Sequence, residues 1–364
     1  MSEISALKKE PYVSEGLKVV ENKPYVPVES DFRLKGKTAD DFVDTNFASQ
    51  NFWKEVVARF KRKKSAVFGL IFVLVIIFFA FVGPVMNEYT YSGQNLELKN
   101  LAPRIPIVEY TGFFDGHENI KTTSGTKTVN YYFEKKLPDT FYWFGSDNFG
   151  RDIWTRTWSG AQVSLIIAVA AAIIDMIIGM SYGLISGYFG GKVDMVMQRI
   201  LEIANGIPRL VIVTLLLLVF KPGMITIIVA LMLTEWVGMS RIARAEMLKL
   251  KEQEFVLASR TLGAGNLHII FSEVLPNIIG PIITQVMFSI PTAIFTEAFL
   301  SFVGLGIPVP RCSLGSLISE GFNSFTTHPY QIIPPIVVMA LLMLSFNLVA
   351  DGLREALDPK LKEM

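Results

Sequence analysis

The chain has 364 residues, of which 51% are hydrophobic and only 18% charged, with a formal net charge of +1. A soluble domain carries about 25% charged residues, so long apolar segments must account for the deficit, and the near-zero charge offers no bulk field for nucleic acid. One cysteine, Cys312, and three scattered histidines, His117, His268 and His328, exclude an internal disulfide and any multi-cysteine or HExxH metal centre.

Residues 1–50 are mixed in charge, interrupted by Pro11, Pro24 and Pro27, and lack the apolar core of a signal peptide. They are expected to form a mostly disordered cytoplasmic tail. Residues 51–64 predict an amphipathic helix with Phe52, Trp53, Val56, Val57 and Phe60 on one face. It is expected to lie along the inner membrane interface, with a soluble surface helix as the alternative. Its end, Lys61–Arg62–Lys63–Lys64, places that side of the first span in the cytoplasm. That span, residues 65–87, contains the uncharged run Ala66–Met86, long enough to cross the roughly 30 Å hydrocarbon layer. Residues 88–159 are polar and aromatic, and by alternation form an extracellular excursion too long for a bare turn.

Residues 160–350 predict the core domain. Its spans are Gly160–Ser186, Val193–Phe220 with Pro208 inside it, Met224–Ser240, Pro276–Phe299 with Pro281 and Pro291, and Ile332–Ala350. Residues 241–275 form a cytoplasmic loop and residues 351–364 a cytoplasmic tail. The loop carries Arg241, Arg244, Lys249, Lys251 and Arg260, whereas the outer stretch Ser301–Gln331 holds only Arg311, in keeping with the positive-inside rule. The expected fold is all-α and membrane-integral, with six transmembrane helices and both termini cytoplasmic.

No GxxxxGK[ST] phosphate loop is present; Ser186–Lys192 comes nearest and lacks the first glycine. No nucleophile–His–acid grouping is visible, so the chain is not expected to be an enzyme. Asp175 is read as the only deep carboxylate, which must face the bundle interior, a water-filled path or a partner. Path lining and an interhelical contact both remain open for it. Glu297 is assigned to structure or gating, and Pro208 and Pro291 to hinges or static kinks. Asp147, Arg151 and Asp152 form a polar cluster on the outer side. It either meets an external binding protein or caps a helix locally, with Asp147 at the helix start and Arg151 paired to an acid.

The segment Glu254–Pro276 breaks the polarity between two spans. A short helix over Lys249–Leu262 has Phe255, Ala258 and Leu262 on one face, and Gly263 ends it. Physical chemistry alone leaves lipid and a protein partner equally open beneath that face.

Leu257–Ala258–Ser259, three residues, Gly263 and then Leu275–Pro276 resemble the Glu-Ala-Ala loop of ABC importer permeases, with Leu257 in place of the Glu and Ser259 in place of the second Ala. Phe144–Asp147 with Gly150–Asp152, Gly187–Gly191 with Asp194 and Arg199, Thr296–Gly306, and Asp351–Arg354 with Leu357–Pro359 resemble segments of the C-type subunit of the oligopeptide/dipeptide/nickel branch. Leu314–Gly315 stands where that branch shows Trp-Gly. The resemblance spans roughly Phe52 to Lys362, with residues 1–50 and 88–138 outside it. It implies the type I importer permease fold with two homologous permeases, two ATPase subunits using Mg-ATP, and a lipid-anchored or periplasmic substrate-binding protein. It also implies a plasma-membrane location, no cofactor in this chain, and ATPase docking through Glu254, Phe255, Leu257, Ala258, Ser259, Leu262 and Gly263. Oligopeptides are the expected cargo, with dipeptides or nickel as alternatives. From other classes, a secondary transporter would show carboxylates in several spans and an inverted repeat, and a non-transporting receptor or scaffold would use the excursion alone.

Overall fold

A computed structural model describes residues 52–122 and 125–358. The expected tail over residues 1–50 and the final residues 359–364 lie outside the described residues. The helices are α1 (Phe52–Arg62), α2 (Lys64–Val82), α3 (Tyr131–Glu134), α4 (Ile153–Phe189), α5 (Gly191–Gly206), α6 (Arg209–Val219), α7 (Met224–Leu250), α8 (Glu254–Thr261), α9 (Asn266–His268), α10 (Leu275–Leu300), α11 (Leu314–Asn323) and α12 (Ile333–Leu357). Two π-helical stretches, Ile269–Val274 and Ser301–Leu305, flank α10. Ahead of α3, strands β1 (His117–Thr122) and β2 (Gly125–Asn130) pair antiparallel with His117 opposite Asn130. This hairpin adds a β element to a chain expected to be wholly helical.

Among the described residues, five helical stretches are long and apolar enough to cross a membrane: Lys64–Val85, Ile153–Phe189, Met224–Leu250, Asn266–Leu305 and Pro329–Leu357. The expected third span is broken. Ile207 is extended at ψ 124° before Pro208, as a residue preceding proline prefers. The axes of α5 and α6 differ by 78°, so the pair counts as a sixth crossing only as one bent unit. Three other boundaries shift. The second helix starts at Ile153, seven residues before Gly160, because Asp152 caps it by accepting from Thr155 N at 2.8 Å. Helix α7 runs past Ser240 to Leu250, which puts Arg241, Arg244 and Lys249 on a helix and not in a loop. Helix α12 likewise takes in Asp351–Leu357, expected as tail.

Helix α4 is the axis of the bundle, packing against α2, α7, α10, α11 and α12. Lipid tails are as apolar as leucine, so helices in a bilayer associate through close packing and polar contacts and not by escaping water. The contact of α4 with α7 is built that way. Gly179, Gly183 and Gly187 recur every four residues along α4. A Cβ added at Gly183 would lie 2.2 Å from Ser240 O and 2.8 Å from Ala243 Cβ, and one at Gly179 would lie 2.6 Å from Trp236 O. The helices therefore touch backbone to backbone, which small residues at this spacing permit.

The excursion has its own core of Leu101, Tyr132 and Tyr142, with Tyr89 stacked on Tyr142 at 4.5 Å. Arg104 staples it by donating to Glu109 Oε2 at 2.6 Å and to the carbonyls of Leu137, Pro138 and Thr140. Gln331 donates to Asn100 Oδ1 at 2.9 Å, and His328 Nδ1 meets Glu118 Oε1 at 2.9 Å, so the excursion is tied to the helical bundle.

Gly183→Ala is expected to lower the thermal midpoint of the purified chain in detergent by several degrees. Gly238→Ala, whose Cβ meets nothing within 4 Å, should leave it unchanged. Equal midpoints for the two variants would show that the glycine stripe does not set the α4–α7 distance.

Candidate functional site

Three places concentrate polar or exposed chemistry. At the first, α7 turns through Lys251–Gln253 into α8. One residue of α8, Val256, is buried, and it packs in a cluster with Met247, Ile269, Ile270 and Val274. Glu254, Phe255, Leu257, Ala258 and Leu262 are exposed, Leu262 at 87%, while Ser259 is half-buried. The face carrying Phe255, Ala258 and Leu262 is thus left uncovered by this chain. Gly263 takes φ +84°, a left-handed conformation that glycine adopts without strain. Its N–H closes the helix on Arg260 O at 3.1 Å, and Ala264 N returns to Ser259 O at 3.0 Å. Arg260 lies over the Tyr188 ring at 5.4 Å, and the Tyr188 hydroxyl donates to Asn266 Oδ1 at 3.0 Å. The elbow is therefore braced from behind while its front is open.

The second place is a cleft of about 200 Å³ where α7 and α10 pass the break after α5. Asn205, Thr234, Glu235, Arg241, Gln285 and Ser289 supply its polar lining. Asp175 stands behind this wall. It is 3% exposed and accepts from Ser289 Oγ at 2.6 Å, while its Oδ1 has no hydrogen-bond partner. Asp175 thus makes an interhelical contact through a residue that itself lines the cleft. Glu235 corrects the expectation that Asp175 is the only deep carboxylate, since it sits near the middle of α7.

The third place is the start of α4. Asp147, Arg151 and Asp152 are all buried, so they form no open docking face. Asp147 accepts from Phe149 N and Arg151 N and pairs with Arg151 Nε at 2.6 Å. Arg151 and Arg156, 2% and 1% exposed, both reach Glu320 on α11, at 2.6 and 2.7 Å. The cap of α4 is Asp152 and not Asp147. Two guanidinium groups and two carboxylates thus lock the start of α4 to α11. Cys312, buried beside them, offers its Sγ to Arg156 O at 3.4 Å, and burial pushes its thiol above the usual range. One helical layer further along, the carboxylate of Glu297 accepts from Ser164 at 3.0 Å and Ser301 at 2.7 Å, joining α4 to the end of α10. Pro291 is buried inside α10, and Pro208 is the exposed residue that opens α6.

Residues 179–363 match the family of binding-protein-dependent transport system inner membrane components, and residues 51–103 match the N-terminal membrane domain of oligopeptide transport permease C. The Bacillus subtilis oligopeptide transport system permease protein OppC is 39% identical over 91% of this chain and 97% of its own length. The Lactococcus lactis dipeptide permease DppC is 39% identical over 92% and 99%, and the Escherichia coli OppC is 33% identical over 85% and 92%. The chain belongs to this permease family. It is a multi-pass membrane subunit of the ABC importer class, in the oligopeptide/dipeptide permease C branch. A chain of the inward-facing MetNI methionine ABC transporter superposes with a TM-score of 0.48 at 18% identity, covering 56% of this chain and 96% of that one.

The match to the permease-C domain runs to residue 103, so the start of the excursion belongs to the family pattern and is not outside it. The permease motifs fall on the structural joints. The segment Phe144–Asp152 ends in the α4 cap, and Thr296–Gly306 carries Glu297 into the π-helical end of α10. Sequence reasoning did not find Arg156, Glu320, Glu235, Thr234 or Ser289 as site residues. A cation in the first turn of a long, largely apolar helix signals Arg156, and a carboxylate inside a span signals Glu235.

Arg156→Met leaves the buried Asp147 and the half-buried Glu320 short of a cation, and removing one partner of a buried set costs about 3–5 kcal/mol. The expected loss is read by chemical unfolding of the permease in mixed micelles. A change below about 1 kcal/mol would mean that water and Arg151 already satisfy the acids.

Proposed function

We propose that this permease is one of two homologous membrane subunits of an ATP-driven importer of oligopeptides, lying in the plasma membrane with both termini cytoplasmic. The observation that carries the reading is the elbow at α8. A helix anchored by one buried valine, with Phe255, Leu257 and Leu262 uncovered and an abrupt glycine stop, suits a ball in the socket of an ATPase subunit. Leu257 makes an apolar contact there where relatives offer a carboxylate. Two such ATPase subunits, using Mg-ATP, supply the energy, and this chain contributes no catalytic group of its own.

The cleft at the α5–α6 break supports the path. On α5 and α6, Val196, Ile203, Leu215 and Val219 are exposed, and a second permease subunit would cover such apolar side chains. A carboxylate, a guanidinium and several amide and hydroxyl groups in one wall match the ends and main chain of a peptide without selecting its side chains. Relatives named for oligopeptide and dipeptide transport support that cargo. A separate external binding protein delivers it, and the excursion is the first surface on that side for it to meet.

Ala258→Asp and Gly263→Glu are each expected to abolish co-purification with the ATPase subunits and to cut ATP-dependent peptide uptake more than tenfold, while the permease itself stays folded. If both variants assemble and transport normally, α8 is not the ATPase contact.

A further inference from the structure

The elbow, the cleft and the excursion leave unused a charged feature where α1 meets the last turns of α12. Val56 of α1 is buried against Ala356 and Leu357. Gly352 admits Ala66 and Phe60 so closely that an added Cβ would lie 2.2 Å from Ala66 Cβ. Helix α1 was expected to rest on lipid, and one face of it rests on protein. Beside that contact opens a cleft of about 270 Å³, lined by Arg59, Arg62, Lys63, Gly352, Glu355 and Ala356.

The charges there are unequal. The lining holds three cations and one carboxylate, Glu355, and Glu55 beside it pairs with Arg59. Lys63 Nζ pairs with Glu355 at 2.6 Å and donates to Asp351 O at 3.3 Å. Arg59 pairs with Glu55 and donates to Asp358 O at 3.4 Å. Among the described residues, no acid is in ion-pair contact with Arg62. Lys61 and Lys64, both exposed, extend the positive charge around the rim.

Position decides what such a cleft can hold. It lies where the first membrane-crossing stretch begins, at Lys64. Phe68 and Ile71, one and two turns further along α2, are more than half exposed and apolar. On α1, Trp53 and Val57 are exposed as well, and an aromatic ring of this kind favours the membrane–water boundary. An uncompensated guanidinium at the boundary, with apolar side chains leading away from it into the membrane, has the layout of a headgroup and its acyl chains. Arginine presents a fork that fits phosphate oxygens bidentately, and basic segments beside a span gain binding from anionic lipid.

We propose that the cleft between α1 and α12 is a binding site for the phosphate headgroup of an anionic phospholipid, with Arg62 as its principal ligand, Arg59 and Lys63 beside it, and the acyl chains along Phe68 and Ile71. The site is independent of the transport reading.

Native mass spectrometry of the full-length permease, released from detergent with phosphatidylglycerol or phosphatidylcholine of identical acyl chains, tests it. Phosphatidylglycerol is expected to be retained at least fivefold more. Arg62→Gln should weaken that retention roughly fivefold, the loss of one interfacial cation, and Arg62→Lys should restore most of it. A phosphatidylglycerol with a photoreactive acyl chain should label the peptide containing Phe68 and Ile71. Equal retention of the two lipids, full retention in Arg62→Gln at an unchanged thermal midpoint, or labelling elsewhere would overturn the proposal. Displacement of the lipid by millimolar inorganic phosphate would also overturn it, because the site would then belong to a free anion.

Discussion

The approach of α4 to α7 along Gly179, Gly183 and Gly187 is the constraint on which the rest of the bundle depends. Apolar side chains gain little by leaving lipid for protein, so a membrane bundle holds its shape where surfaces fit tightly. Here the fit brings Ser240 O and Arg244 O against the bare face of α4. Two things follow from that distance. Arg244 comes within 2.6–2.7 Å of both carboxylate oxygens of Asp194, and Ser186 donates to the same carboxylate at 2.5 Å. That pairing fixes the start of α5 to α7. The end of α7 is thereby placed beside Tyr188, which braces α8 and α9 from behind.

Most polar groups in the interior are answered in place, but Glu118 Oε2, Asp152 Oδ1, Arg156 Nε, Thr157 Oγ1, Trp158 Nε1 and Asp175 Oδ1 have no hydrogen-bond partner. Glu297 has its serines, and Arg151 and Arg156 have Asp147 and Glu320. A buried unpaired polar group costs free energy. These sets are therefore structural pins joining α4, α10 and α11, and truncating one partner exposes the cost of the other. Of the unanswered atoms, that of Asp175 lies behind the wall of the polar cleft. One oxygen is bonded to Ser289 and the other is unanswered, and the wall it supports is the lining of the polar cleft.

The spans and their order were legible in the sequence because uncharged runs of this length have one use. The elbow was legible because its glycine, its leucine–proline and its exposed face are close in sequence. The rest fails for physical reasons that differ by residue. Glu235 stands in Leu231–Val237 among apolar neighbours, so a window average hides one carboxylate. The Asp147–Arg151 pair shows as an i,i+4 spacing, but Glu320 lies 169 residues further on, and such a partner has no local signature. The sequences of His117–Thr122 and Gly125–Asn130 are mostly polar, without the alternation that announces a half-buried strand. The break at Ile207–Pro208 reads as a kink, because sequence gives the lost hydrogen bond but not the angle. The glycine stripe, in contrast, is visible in the sequence as a small-residue repeat every four residues.

How motion at the elbow reaches the cleft follows from what packs together. Val256 of α8 shares one buried cluster with Met239 and Met247 of α7, Leu184 of α4, Ile269, Ile270 and Val274 of the π-helical turn, and Ile278 and Ile282 of α10. A close-packed cluster transmits displacement and does not absorb it. A push on α8 therefore cannot slide that helix across the bundle without carrying the neighbouring turns of α7 and α10. Thr234 and Glu235 lie on the one helix, and Gln285 and Ser289 on the other, about one to two turns beyond the cluster. Any rotation that the cluster imposes on α7 relative to α10 changes the width of the wall between them. The exposed face of α8 and the polar cleft are in this sense linked through the packed turns of α7 and α10.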